Sequence, residues 1–145
     1  MNQLEQLKNK FPNGVESIET RLGETTVVLE KEFLLPVCQY LKKEEGFDYL
    51  ADLTGLDLGV EASPRYAVVY HLYSMEGRQR LRLKVKTSDA VDTVTSVWKG
   101  ADWFEREVYD LLGIVFNHHP HLTRIYMPDD FVGHPLRKDF PLMGE

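Results

Sequence analysis

Residues 65–74, the turn Met75-Glu76-Gly77 and residues 78–87 constrain this chain more than any other feature. In the second run Leu81, Leu83 and Val85 alternate with Arg80, Arg82, Lys84 and Lys86. That is the period of a strand with one dry and one wet face. In the first run Tyr66, Val68, Tyr70 and Leu72 alternate with Ala67, Val69, His71 and Tyr73, and both sets are largely apolar. This predicts a central strand covered on both sides. A short turn between two such runs makes an antiparallel hairpin, around which the fold must be built. The basic side of 78–87 is ordinarily the solvated face; the functional alternatives are an acidic partner or anionic lipid headgroups.

The remaining periodicity fits around that hairpin. Leu4, Leu7 and Phe11 share one side of a short helix over 2–11, ended by Pro12-Asn13-Gly14. Residues 15–22 and 25–30 read as strands joined at Gly23-Glu24. Phe33, Leu34, Val37, Cys38 and Leu41 recur at helical spacing over 31–45. Pro36 places the start of that helix near Leu35, and Gly46 stops it. Residues 49–56 form a weak strand. A helix is predicted over 89–99, with Val91, Val94, Val97 and Trp98 on one face. A second follows over 103–112, with Phe104, Val108, Leu111 and Leu112 buried, Asp102 as cap, Glu105 completing the capping pattern and Gly113 as stop. Hairpin signals outnumber crossover signals. The expected fold is therefore α+β, a mainly antiparallel sheet packed with helices, over 1–113.

Beyond it, 114–145 reads as an extended irregular C-terminal arm. No period survives from Asn117 onward, and prolines fall at 120, 128, 135 and 141. Leu122, Ile125, Tyr126, Met127, Phe131, Leu136, Phe140 and Leu142 are too many apolar anchors for a disordered tail. They must pack back on the body or into a groove on another protein.

Composition removes several function classes. The 145 residues suit one domain, and the net charge of −6 argues against nucleic acid as a partner. The single cysteine, Cys38, excludes an internal disulfide and a conventional iron–sulfur cluster held by this chain alone. Its apolar neighbours predict a buried thiol. No apolar run spans a membrane, and the first residues do not resemble a secretory or transit signal. No glycine-rich nucleotide loop or nucleophile elbow occurs.

Two clusters remain for chemistry. Asp102, Arg106 and Asp110 are four apart, so Arg106 could bridge two carboxylates. Spacing alone favours an exposed charged face, and the functional alternative is a partly buried network that orients the arm. Glu105 and Glu107 point to different helix faces and make no paired-carboxylate site. His118, His119, His121 and His134 raise the alternative of a small His-ligated metalloenzyme, but no Cys or helical His-Glu-x-x-His pattern supports it.

The stretch Glu105-Arg106-Glu107-Val108-Tyr109-Asp110-Leu111-Leu112-Gly113-Ile114, then Phe116 and His119-Pro120-His121-Leu122, resembles the signature of the respiratory complex I thirty-kilodalton subunit family, the C subunit of NADH–quinone oxidoreductase. Arg124-Ile125, Pro128-Asp129-Asp130 and Gly133-His134-Pro135-Leu136-Arg137-Lys138-Asp139-Phe140-Pro141-Leu142 extend the likeness. The resemblance implies a subunit with no cofactor of its own, in the peripheral arm on the cytoplasmic side of the cell membrane. Its partners would be the forty-nine-kilodalton-type and iron–sulfur subunits, with iron–sulfur clusters, flavin and quinone held elsewhere in the assembly. The equivalent subunit of a membrane-bound energy-conserving hydrogenase is the alternative. Carried over residue by residue, Glu105, Arg106, Glu107 and Asp110 would brace the arm and its partner. Arg124, Asp129, Asp130, His134, Arg137, Lys138 and Asp139 would supply polar interface contacts, and Phe131, Leu136 and Phe140 apolar anchors. Two departures stand out: Thr123-Arg124 replaces a frequent basic pair, and the chain ends just after Leu142.

Overall fold

A computed structural model describes residues 3–141. Helix α1 spans Gln3–Lys10, and strands β1 (Val15–Arg21) and β2 (Glu24–Leu29) follow as a hairpin. A 3-10 turn at Lys31–Phe33 leads into α2, Leu34–Glu44. Pro36 falls in the first turn of α2, where its missing N–H leaves no helical hydrogen bond unmade. Strands β3 (Tyr49–Asp57), β4 (Tyr66–Ser74) and β5 (Gln79–Thr87) complete a five-stranded sheet of order β1-β2-β5-β4-β3. The hairpin of β4 and β5 sits inside it, with Tyr70 opposite Leu83 and Val68 opposite Val85. Within this sheet every pairing is antiparallel except β2 with β5, which the crossover through α2 makes parallel.

The helices all feed one core. Leu7 of α1 and Leu34, Val37, Cys38 and Leu41 of α2 cluster with Val27, Leu29, Val68, Tyr70, Leu83 and Val85 from a single sheet face. Helix α3, Ala101–Leu112, adds Ala101, Val108 and Leu112. It lies so close to β3 that a methyl group on Gly55 would stand 2.6 Å from Leu112 and 2.8 Å from Val108. The expectation that β4 is covered on both sides is corrected here. Ala67 and Val69 are buried, yet they lie outside that cluster, on the opposite face. Val69 is flanked there by Thr54 and Lys84, so neighbouring side chains shield it and no helix is needed.

The helix expected over 89–99 is not formed. Ala90–Asp92 is strand β6, paired in parallel with β7, Val115–Asn117. Thr87 explains the break: its hydroxyl donates to the Ala90 carbonyl and accepts from the Asp89 and Ala90 N–H groups. Thr93 turns the chain again by accepting the Thr95 N–H. Such local side-chain bonds compete with helix formation. The spacing of Val91, Val94, Val97 and Trp98 nevertheless marks buried residues correctly.

Candidate partner interface

Helix α3 organises everything that follows it. It begins two residues earlier than expected: Gly100, not Asp102, stands at the N-cap, without a side-chain bond. Asp102 does not cap it. Its carboxylate lies 3.0 Å from Nε2 of His119, whose buried ring accepts the His121 N–H at Nδ1. Glu105 makes no capping box either. It is fully buried, with Oε2 accepting the Val94 N–H at 2.9 Å and Oε1 lying 2.5 Å from the Thr93 hydroxyl. Burial pushes its carboxyl up to about 7, against the opposing pull of the Thr93 and Val94 hydrogen bonds. Glu105 thus ties α3 to the turn after β6.

Asp110, also fully buried, does the same for the arm. Its Oδ2 accepts the N–H groups of Ile125, Tyr126 and Met127 at 3.0, 2.6 and 3.2 Å. Its Oδ1 accepts Nε of Arg124 at 2.6 Å. Burial alone would raise this carboxyl, but the guanidinium and the three N–H groups outweigh it and hold it below the usual carboxylate range. The exposed-face reading of α3 is therefore overturned at Glu105 and Asp110, because each is satisfied inside the chain. The bridging role given to Arg106 also fails. Its Nε donates to the Thr123 carbonyl, and the guanidinium lies over Trp103. Arg124, from the arm, takes the place that spacing gave to Arg106.

The C-terminal end of α3 carries no basic residue of its own in its last turn. The arm supplies what is missing. Arg124 Nη2 and His134 Nδ1 donate to the Asp110 carbonyl, the Leu136 N–H to Leu111, and Arg137 Nε to Leu112 at 2.7 Å. Orphan carbonyls and the negative end of the helix dipole are met together. Gly113 makes room: its φ is +82°, and an added methyl group would stand 2.3 Å from Arg137 and 2.7 Å from His134. Arg124 also donates to the Phe131 and Gly133 carbonyls and lies over the Phe131 ring, which stacks on Phe140.

A second latch went unread in the sequence. Arg65 grips Asp57 with two hydrogen bonds of 2.9 and 2.8 Å and reaches Asp139 at 2.7 Å. The Lys138 N–H donates to Asp57 as well. The Arg65 hydrogen bonds hold the Asp57 carboxyl well below its ordinary value. Only the short span between Asp57 and Arg65 across a hairpin could have hinted at the pair; nothing local points to Asp139.

The arm is fixed but not submerged. Beyond Phe116 no described residue is buried as a whole. Tyr126 is 53% exposed, Val132 91%, Leu136 60% and the neighbouring Trp103 50%. Tyr126 packs edge-on against Trp103 and donates to Glu107. Asp129, Asp130 and Lys138 are exposed, whereas Phe131, His134, Arg137 and Phe140 are half-buried by arm and body. Leu142 lies outside the described residues. Among the described residues no group of three or more His, Cys, Asp or Glu is placed to hold a metal ion, and no helix is long and apolar enough to cross a membrane.

Fold and site together define a small α+β domain that carries its own clamped, surface-lying arm. Residues 27–145 match the family described as the respiratory-chain NADH dehydrogenase 30 kDa subunit. The C subunit of NADH-quinone oxidoreductase from Geobacter metallireducens is 46% identical over 141 residues, covering 95% of this chain and 87% of the relative. Its counterpart from Geobacter sulfurreducens is 47% identical over 141 residues, with the same coverage of each chain. A chain from the membrane-bound sulfane sulfur reductase, an archaeal respiratory membrane complex, shares the fold at a TM-score of 0.77, with 22% identity over 97% of this chain and 85% of that one. The protein belongs to the complex I 30 kDa subunit family.

Proposed function

We propose that this chain is a structural subunit, without a cofactor of its own, in the peripheral arm of a complex I-type NADH–quinone oxidoreductase. It holds the forty-nine-kilodalton-type and iron–sulfur subunits in position for electron transfer to quinone. Flavin, clusters and quinone reside in those partners, and the chain sits on the cytoplasmic side of the membrane through them. The observation that carries this reading is the arm itself. Two buried or half-buried latches fix its path, yet beyond Phe116 none of its described residues is buried as a whole and only Leu122 among them packs against the core. A segment held rigid with Tyr126, Val132 and Leu136 facing outward loses little entropy on docking. Trp103, Arg106 and Tyr126 have the composition of an interface hot spot. Glu107, Asp129, Asp130 and Lys138 supply a polar rim around them. In the same arrangement Glu105 and Asp110 act from inside, as braces for the surface that docks.

Affinity purification of the native, tagged chain from membranes, with identification of what accompanies it, tests the proposal. Recovery with the forty-nine-kilodalton-type and iron–sulfur subunits is expected, and loss of them when Trp103 and Tyr126 are both changed to alanine. A chain that purifies alone and oxidises or reduces a substrate unaided would overturn it.

A further inference from the structure

The sheet face opposite the helices carries a row of cations on β5. Arg80, Lys84 and Lys86 point away from Leu81, Leu83 and Val85 and, among the described residues, enter no ion pair. Arg82, in the same row, is already engaged by Glu24. Asp52, the other acid nearby, is turned onto the Leu53 N–H. The row opens into a groove of about 740 Å³ lined by Tyr49, His71, Tyr73, Arg78 and Arg80, in which the Arg80 guanidinium lies 5.9 Å from the Tyr73 ring centre. A chain of net charge −6 has thus gathered free cations on one uncovered face.

We propose that this face is a docking site for an extended acidic segment of a partner protein, whose carboxylates pair with Arg80, Lys84 and Lys86. Side chains on one face of a strand repeat about every 6.8 Å, and an extended segment laid along β5 repeats at the same interval. The charges are complementary, and a row of uncompensated cations raises the local concentration of an acidic ligand. The regular spacing favours an extended protein segment: Arg80 and Arg82 line the groove, and Lys84 and Lys86 continue the row beyond it along β5. The site is separate from the C-terminal arm and stands whether or not the arm docks.

The probe is a fluorescent peptide of alternating glutamate and threonine, titrated into the full chain at rising salt. Binding that weakens with salt is expected, and a loss of about tenfold in an Arg80→Gln, Lys84→Gln, Lys86→Gln variant. A Lys8→Gln, Lys10→Gln variant on α1 removes cations from elsewhere and should bind as the parent does. Thermal unfolding checks that each variant is folded; should the triple variant fail, Lys86→Gln alone is read for a smaller loss in the same direction. The proposal is overturned if the peptide does not bind, if both sets of variants behave alike, or if phosphatidylserine vesicles bind the chain while the peptide does not.

Discussion

Glu105→Gln should make the protein more stable in alkali while leaving it unchanged in acid. The Glu105 carboxyl stands at about 7 in the folded chain against an ordinary 4.5. Below pH 4.5 both folded and unfolded chains carry the proton, and the group imposes no penalty. Between 4.5 and 7 the unfolded chain releases it first, so stability falls as pH rises, by about 1.4 kcal/mol per unit. Above 7 the loss is complete, about 3 kcal/mol for this fully buried group. Glutamine mimics the protonated acid. Its carbonyl accepts the Val94 N–H, and its amide donates to the Thr93 hydroxyl, which can then donate onward to Thr95 at 3.0 Å. Urea unfolding followed by tryptophan fluorescence gives the difference between variant and parent at each pH. Asp57 and Asp110, whose carboxyls are lowered and whose stabilisation is lost in acid, are present in both proteins and cancel. A difference near zero at pH 4.5 and about 3 kcal/mol in favour of the variant at pH 8 is expected. A difference that does not change with pH would refute the assignment of a buried, proton-holding carboxyl.

Arg124→Ala leaves the buried Asp110 without its counter-charge and should cost about 3 kcal/mol, with faster tryptic cleavage at Arg137 and Lys138 as the arm loosens. Arg124→Lys should rescue little, because one ammonium cannot reach Asp110 Oδ1 and the carbonyls of Asp110, Phe131 and Gly133 together. Gly113→Ala forces a left-handed residue, at about 1–2 kcal/mol, into contact with Arg137 and His134. Hydrogen exchange should rise at the Leu136 amide while the strand amides of β4 keep their protection; equal protection at Leu136 in parent and variant would contradict the close fit.

What the sequence made legible were the features set by near neighbours. Alternation in 78–87 gave both the strand and its inward residues, and Gly113 announced the end of α3. The missed features depend on partners far along the chain. Ala90–Asp92 has a helical pattern of valines but pairs with a strand at Val115–Asn117. Asp110 and Arg106 have ideal helical spacing, yet a guanidinium 14 residues downstream has the better geometry. The arm's residues could be chosen from their resemblance to a family, but not the fact that Arg124, His134 and Arg137 are directed first at α3. Asp57 and Arg65 gave no local signal of their contact with Asp139.

The end of α3 has a consequence for how the molecule is made. Its last carbonyls wait for donors as much as 25 residues further along. On the ribosome, therefore, the sheet and most of the core can assemble while this terminus is still frayed, and the final turn is sealed only when Arg137 has emerged. The arm's path over the body is completed in that same late step, so an unfinished chain presents no finished arm.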